Sequence, residues 1–348
     1  MSSLAPLLLA LALVCALQAA ETPKNTRIVP PEKGVYFGAY LDFGETEDAV
    51  TLEQIERFEK LAGKKPAIIA SSSYWGEASF PKENLELIAR HGAIPIIFWS
   101  PWDKPYTQNL GPDKFSLTAI LEGKWDAYID MWANSAKAFG RPFFVSFGNE
   151  MNGCWFPWSG SFYGENDTGP ETFKKAWRYV VDRTRARGAT NISWVFHANN
   201  YSAFPDAWCQ MARFYPGSDY VNWLGLSVYG IQFGDADTWC LFRPLLDWPY
   251  QEISRLDPDK PIMLAEFGVG DFPKLGSKPE WFRDALDQIP KYPRIKAAIY
   301  WHERWQNEDG TFSNLRINSS PASLEAFRKG IASPAWLSKP RFAPLPPP

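Results

Sequence analysis

The run Arg141-Pro-Phe-Phe-Val-Ser-Phe-Gly-Asn149-Glu150-Met-Asn152-Gly153 decides the fold. Its first half is short, apolar and aromatic, and it ends in a carboxylate followed by turn residues. That is the pattern of a buried strand that delivers a glutamate to a loop. A second run repeats it, Lys260-Pro-Ile-Met-Leu-Ala-Glu266-Phe-Gly268. Working outward, six more runs have the same character: Gly34 to Leu41, Pro66 to Ser71, Ile94 to Ser100, Ile192 to His197, Trp223 to Tyr229 and Ile295 to Trp301. Most are continuously apolar rather than alternating, as expected for strands covered on both faces of a parallel sheet.

Segments with helical spacing separate these runs. The regular ones are Thr51 to Leu61, Pro81 to Arg90, Trp125 to Phe139, Glu171 to Arg187, Pro279 to Ile289 and Pro321 to Ile331; Asp206 to Phe214 and Leu245 to Leu256 are less regular. Gly92, Gly140 and Gly188 stand where helix ends call for a left-handed residue. Eight strand-helix units predict an α/β fold, a single-domain (β/α)8 TIM barrel over residues 34–335. The rival, a doubly wound open sheet, would place a Gly-rich phosphate turn after its first strand. Ala39-Tyr-Leu-Asp-Phe-Gly44 is not such a turn.

Residues 1–20 read as a signal peptide. The apolar block of residues 5–17 is too short to span a bilayer, and small residues follow it up to Ala20. A secreted chain, extracellular or periplasmic, is therefore expected. Residues 336–348 form a Pro-rich tail expected to be extended. Net charge is −3 with no basic stretch, which argues against nucleic acid as a partner. No membrane partner is expected once the signal is removed, and a monomer is expected. Cys154, Cys209 and Cys240 then remain, so at most one internal bridge can form, Cys209–Cys240 being the favoured pair. Asn166, Asn191, Asn200 and Asn318 each open an N-x-[ST] triplet. Only three histidines occur, dispersed along the chain; no metal and no cofactor is expected. A serine hydrolase would need a G-x-S-x-G elbow, and none is present.

Aromatic content is the compositional outlier, with 17 Trp, 24 Phe and 14 Tyr. These serve either a large core or a cleft for sugar rings. Barrel enzymes gather their reactive groups where strands meet the loops at their C-terminal ends, which places Glu150 after the fourth strand and Glu266 at the end of the seventh. Paired carboxylates among tryptophans are what glycosidic bond cleavage requires, one as proton donor and one as nucleophile or base. Met151, Trp155 and Trp158 supply apolar walls that would keep Glu150 protonated. A Tyr229 hydroxyl donating to Glu266 would favour its ionised form. Tyr74, Trp75, Trp99 and Trp102 are divided between sugar platforms and core, with Trp99 expected to bind substrate. His197, Asn199 and Asn200 are divided between hydroxyl binding and ordinary loop roles, with His197 expected to bind substrate.

The string Asn149-Glu150-Met151-Asn152-Gly153-Cys-Trp155-Phe-Pro157-Trp158 resembles the acid/base segment of glycoside hydrolase family 26, and Ala265-Glu266-Phe267-Gly268 resembles its nucleophile segment. The resemblance spans residues 34 to about 332 and implies a retaining (β/α)8 glycosidase. It implies further that Tyr229, in Leu226-Ser-Val-Tyr-Gly230, holds the nucleophile and that Trp301 floors the sugar subsite. One position departs: the family usually has His immediately before the acid/base, and here it is Asn149. Elsewhere in the clan an Asn there bonds the sugar 2-hydroxyl, which is axial in mannose and equatorial in glucose. The expectation is a retaining endo-β-glycanase acting on β-linked polysaccharide. β-1,4-Mannan leads, β-1,3-1,4-glucan or xylan follows, and a non-catalytic carbohydrate-binding barrel is the rival.

Overall fold

A computed structural model describes residues 21–43, 49–103, 111–234, 238–307 and 309–345. The signal-peptide segment lies outside the described residues. Each of the eight expected strands is present: β1 (Val35–Tyr40), β2 (Ile68–Tyr74), β3 (Ile94–Ser100), β4 (Phe143–Phe147), β5 (Ile192–Asn199), β6 (Trp223–Tyr229), β7 (Ile262–Gly268) and β8 (Ile295–Trp301). They pair in parallel in chain order. The ring closes where β1 pairs with β8, from Tyr36 against Ala297 to Tyr40 against Trp301. Helices separate the strands, so this is a (β/α)8 TIM barrel. Closure removes the two edges that an open sheet of these eight strands would present.

The helices that alternate with the strands are α1 (Leu52–Ala62), α2 (Lys82–Arg90), α3 (Asp126–Phe139), α4 (Thr168–Ala186), α5 (Met211–Phe214), α6 (Phe242–Leu256), α7 (Lys278–Gln288) and α8 (Pro321–Ile331); a further short helix, Leu117–Leu121, precedes α3. Local chemistry sets their ends. Thr51 and Gln54 form a reciprocal capping box at the start of α1, and Gly63 closes it in the left-handed conformation. Helix α4 begins three residues before the sequence suggests, because Pro170 sits in the first turn, where no backbone N–H is needed. Helix α6 likewise starts earlier, at Phe242, with Pro244 in its first turn. The irregular Asp206 to Phe214 segment is a 3-10 turn, Ala207–Cys209, followed by the single turn α5.

Most of the aromatic excess fills the layer between barrel and helices. Trp99 stacks on Trp132 with ring centres 4.1 Å apart, and Trp75, Trp177 and Trp281 are fully buried. All three described cysteines are free thiols, so the expected Cys209–Cys240 bridge is absent. Cys209 instead directs its Sγ to the Asn152 carbonyl at 3.3 Å. Asn191 is buried, and its amide nitrogen donates to the Ala136 and Arg141 carbonyls. In the folded chain it is therefore no glycan acceptor.

The Pro-rich tail is extended, and it is also paired. Arg341–Pro344 runs antiparallel to Thr26–Val29, and Trp336–Leu337 adds in parallel beside β1. The Tyr36 hydroxyl links the two layers: it donates to the Val29 carbonyl at 2.8 Å and accepts from the Arg341 N–H at 2.9 Å. Truncation after Lys339 removes this clasp. It should destabilise the fold by about 1–3 kcal/mol, a few hydrogen bonds' worth, seen as a lowered Tm with an unchanged far-ultraviolet circular dichroism spectrum at room temperature.

Candidate active site

Glu150 follows β4 in an unusual backbone conformation, with φ at 55°, and Gly148 has the same positive φ. The left-handed region costs a residue bearing a Cβ about 1 kcal/mol, so neighbours must hold it. The Glu150 N–H donates to the His197 carbonyl at 2.7 Å, and the Trp158 indole N–H donates to the Asn149 carbonyl at 2.6 Å. Asn152 then ties this turn to β5, exchanging hydrogen bonds with Asn199 and donating to the Tyr201 carbonyl. The net result is a rigid elbow that turns the Glu150 side chain into the barrel mouth.

A different device aims Glu266. Strand β7 carries one extra residue against β6: Leu264 pairs with Leu226, but Ser227 pairs with Glu266 rather than Ala265. The register against β8 slips over the same stretch. Cross-strand partners share a face, so the bulge moves Glu266 onto the side of Ser227. In a regular strand Ala265 would stand there.

The two glutamates meet. A carboxylate oxygen of Glu150, one of Glu266 and a ring nitrogen of His197 all lie within 4.8 Å of one another. Glu150 is 8% exposed and Glu266 7%. Burial raises the pKa of both, and the Glu150 charge raises Glu266 further. Donors oppose the rise on each: the Trp155 indole N–H, 2.7 Å from a Glu150 oxygen, and the Ser227 hydroxyl on Glu150; the Tyr229 hydroxyl, 2.7 Å from a Glu266 oxygen, on Glu266. Carboxyls this close titrate as one unit, the first ionisation opposing the second.

The surrounding residues divide into two groups. Trp155 and Tyr229 touch the carboxylates, as above. Trp301 lies flat against its cross-strand neighbour Tyr40, ring centres 3.8 Å apart and planes within 3°, and its indole N–H is held by Glu303 at 2.7 Å. Asn149 is buried between Gly148 and Glu150. The others belong to the packing. Trp99, expected as a sugar contact, is fully buried on Trp132 and donates to the Tyr128 hydroxyl. Trp158 is buried and serves the Asn149 carbonyl. Trp75 is in the core, and Trp102 packs edge-on against Phe156 and Trp158. Asp42 pairs with Arg316. His302 is buried and accepts from the Ile317 N–H.

His197, expected to bond a sugar hydroxyl, is fully buried, and both ring nitrogens are taken by Ser146 at 3.1 Å and Ser227 at 2.7 Å. Burial pushes its pKa down to about 3, so it is neutral at ordinary pH. By proximity Glu150, Glu266 and His197 could form a metal-ligand set, yet a metal would have to displace one of these serines from the imidazole.

Several residues at the site were not singled out from the sequence. Ser227 stands two positions before Tyr229 on β6, and the period of two in a strand puts both on one face, a signal that was available. Glu303 is not among these, since its place two residues after Trp301 already suggests the rim; it adds a third carboxylate whose charge acts on Glu266 and Tyr229. Tyr201 is 62% exposed, 6.0 Å from the Trp155 ring; only the fold brings it there.

The elbow and the dyad make separate predictions. Trp158→Phe removes the bond to the Asn149 carbonyl and leaves that buried acceptor unpaired; urea denaturation should show a loss of about 1–3 kcal/mol. For Glu266 the sign follows from its raised pKa. The unfolded chain ionises freely above the ordinary carboxylate range, whereas the folded chain resists until its own higher pKa. Stability therefore falls as pH rises through that interval. Glu266→Gln should raise Tm at pH 7, above the ordinary carboxylate range, and leave it nearly unchanged at pH 3.5, below it.

Comparison with known proteins agrees with this geometry. Residues 118–250 match the model for Glycosyl hydrolase family 26. Endoglucanase H of Acetivibrio thermocellus is 30% identical over 304 residues, 86% of this chain and 31% of that protein. A mannan endo-1,4-beta-mannosidase of Bacillus subtilis is 28% identical over 246 residues, 67% of this chain and 58% of that protein. This chain thus spans about a third of the first relative's length and under two thirds of the second's. Among solved structures, the catalytic domain of the Bacillus sp. JAMB-750 GH26 endo-beta-1,4-mannanase superposes with a TM-score of 0.64 at 19% identity, covering 92% of this chain and 95% of that one; this likeness speaks to fold alone. The family match and the relatives agree with the barrel: over residues 118–250 and beyond, this chain is similar to proteins of glycosyl hydrolase family 26.

Proposed function

We propose that this protein is a retaining endo-β-glycanase in which Glu266 is the nucleophile and Glu150 the acid/base. The observation that carries the proposal is the approach of the two carboxylates to within 4.8 Å at the mouth of one barrel. Retaining enzymes hold their carboxyls about 5–5.5 Å apart, while inverting ones need about 6.5–9.5 Å to admit water. In the first step a Glu266 oxygen attacks the anomeric carbon, the glycosidic C–O bond breaks, and Glu150 gives its proton to the leaving oxygen. Tyr229 donates to Glu266 and so favours the anion required. Esterification removes the Glu266 charge and with it the repulsion on Glu150. Glu150 then ionises readily and can deprotonate the water that hydrolyses the ester.

For the substrate, two observations favour a β-glucan over the β-mannan that the acid/base string suggested. Asn149 occupies the place where the family usually has His, and elsewhere in the clan an Asn there bonds the 2-hydroxyl that separates glucose from mannose. The relative matching 86% of the chain is named an endoglucanase. β-Mannan is the second reading, supported by the Bacillus subtilis mannosidase. A carbohydrate-binding barrel without catalysis would have no use for a protonated dyad. A secreted location follows from the reading of residues 1–20 as a signal peptide.

Assays of new reducing ends on mixed-linkage β-glucan, glucomannan and mannan, with product chromatography, should show cleavage of the glucan fastest. Activity confined to pure mannan would reverse the substrate order. Glu150→Ala should cost about 10²–10⁴-fold in kcat, the usual worth of a positioned proton donor, and Glu266→Ala at least as much. A fully active Glu266→Ala enzyme would end the assignment. Proton NMR of the first product should show the β anomer; an initial α anomer would mean inversion.

A further inference from the structure

The chain leaving β8 does not stay beside its own strand. After Glu303 it forms an antiparallel hairpin, Arg304–Gln306 paired with Phe312–Asn314. The hairpin crosses the end of β7 and reaches the loop after β6. Three contacts record the crossing. The Ser313 hydroxyl donates to the Gln232 carbonyl at 2.7 Å, which joins the β8 excursion to the β6 loop. Leu315 lies over Gly268, the last residue of β7: a Cβ on that glycine would meet Leu315 Cδ2 at 2.9 Å and the Tyr229 ring at 3.2 Å. At the start of α7 the buried Lys278 Nζ donates to the Asn314 and Arg316 carbonyls at 3.0 and 2.9 Å. The hairpin is thus a strapped bridge over the strand end that presents Glu266.

Two large aromatic side chains on this bridge remain in contact with water. Cross-strand partners share a face, so Trp305 stands with Ser313 on the face turned to the β6 loop. There it meets Phe233, ring centres 6.4 Å apart and planes at 70°. An edge contact of this kind covers little of either ring: Phe233 is 50% exposed and Trp305 is half-buried. A single exposed aromatic is ordinary on a protein surface. A pair held on a strapped backbone, two residues beyond Glu303 and four beyond Tyr229, is instead an extension of the carboxylate site.

We propose that Phe233 and Trp305 form a sugar-binding corner for the retained part of a β-glycan chain, beyond the sugar unit that is attacked. The inference rests on the retaining glycanase reading and deepens it, by saying where the enzyme grips substrate away from the reacting bond. The direction of the chain follows from the chemistry. Glu150 protonates the leaving oxygen, so the departing sugar lies against the loops after β4 and β5. The sugars that stay joined to Glu266 extend away from those loops, toward Trp301, Glu303 and the bridge. The C–H face of a pyranose lies on one ring of the corner and is bounded by the edge of the other.

The test uses aryl β-glycosides, whose sugars all lie on the retained side, from a monoside to a tetraoside in gluco and manno forms. Wild-type kcat/KM should rise as the chain lengthens. Trp305→Ala and Phe233→Ala should each lower kcat/KM on the tetraoside, relative to the monoside, by about two- to ten-fold, the worth of one aromatic contact. The loss should fall on KM rather than kcat. Trp305→Phe keeps a ring and should recover most of it. The double variant should lose less than the two single losses multiplied together. An equal loss at every chain length would mean that the corner only supports the fold, and would overturn the proposal. So would a rise with length that survives both alanine variants, or a wild type indifferent to length. Calorimetric titration with cellohexaose and mannohexaose in the Glu266→Ala background does not depend on turnover. Hexaose binding that weakens with Trp305→Ala, in a protein whose wild type cleaves no glycan, would count against the glycanase reading and leave the corner standing. Hexaose binding indifferent to Trp305→Ala, or no binding at all, would sink the corner even in a fully active glycanase.

Discussion

Two carboxyl groups buried within one another's reach are the constraint on which this structure turns. Neither would choose that place. Each loses hydration on burial, and each makes ionisation of the other harder. The dyad persists because the surrounding fold is rigid enough to refuse both relaxation and water. Two hydrogen-bond donors aimed at the pair, from Trp155 and Tyr229, make a partly ionised state tolerable without abolishing the repulsion. That repulsion is also what allows a single pair of like residues to hold different protonation states and exchange roles between steps.

The barrel answers this demand with two unlike pieces of backbone. Glu150 is presented by a strained turn, stabilised from below by the His197 carbonyl and from behind by Trp158. Glu266 is presented by a register shift inside an otherwise regular strand. The turn depends on side chains far along its own loop, so the tryptophans of that loop are spent on geometry as much as on sugar. Trp155 touches the carboxylate, while Trp158, three residues later, never reaches the cleft. One aromatic string thus serves two purposes, and strand and loop geometry decide which residue serves which.

Much of the architecture was legible. Each strand had an apolar run of the right length and each regular helix had spacing and end signals, so the (β/α)8 order followed from local pattern alone. Glu150 and Glu266 were legible because a carboxylate at the end of a doubly buried strand has few other reasons to be there. The assignments of Trp99 and His197 to the sugar were not sustained, for a common reason. Both sit at strand positions near the barrel mouth, and position along a strand does not say which face a side chain takes. Trp99 falls toward the helices and stacks on Trp132. His197 falls inward, beneath the carboxylates. Pairing registers, which are long-range, settle such questions, and so does the bulge at Ala265, which leaves no mark in composition or periodicity. The pairing of the C-terminal segment with Thr26–Val29 is likewise written only in contacts between distant parts of the chain.

That bulge limits how the barrel can be recombined. Eight-stranded barrels invite exchange of strand-loop cassettes, since neighbouring units are built alike. A replacement for the seventh unit with an unbroken pleat would fit the sheet, pack against the same helices and fold. It would also reverse the parity of everything beyond Leu264, sending the carboxylate outward into the helical layer and a methyl group into the cleft. Chimeras made at this unit must therefore keep two residues between the Leu264 and Phe267 pairings where the sixth strand has one, a requirement of counting rather than of sequence identity.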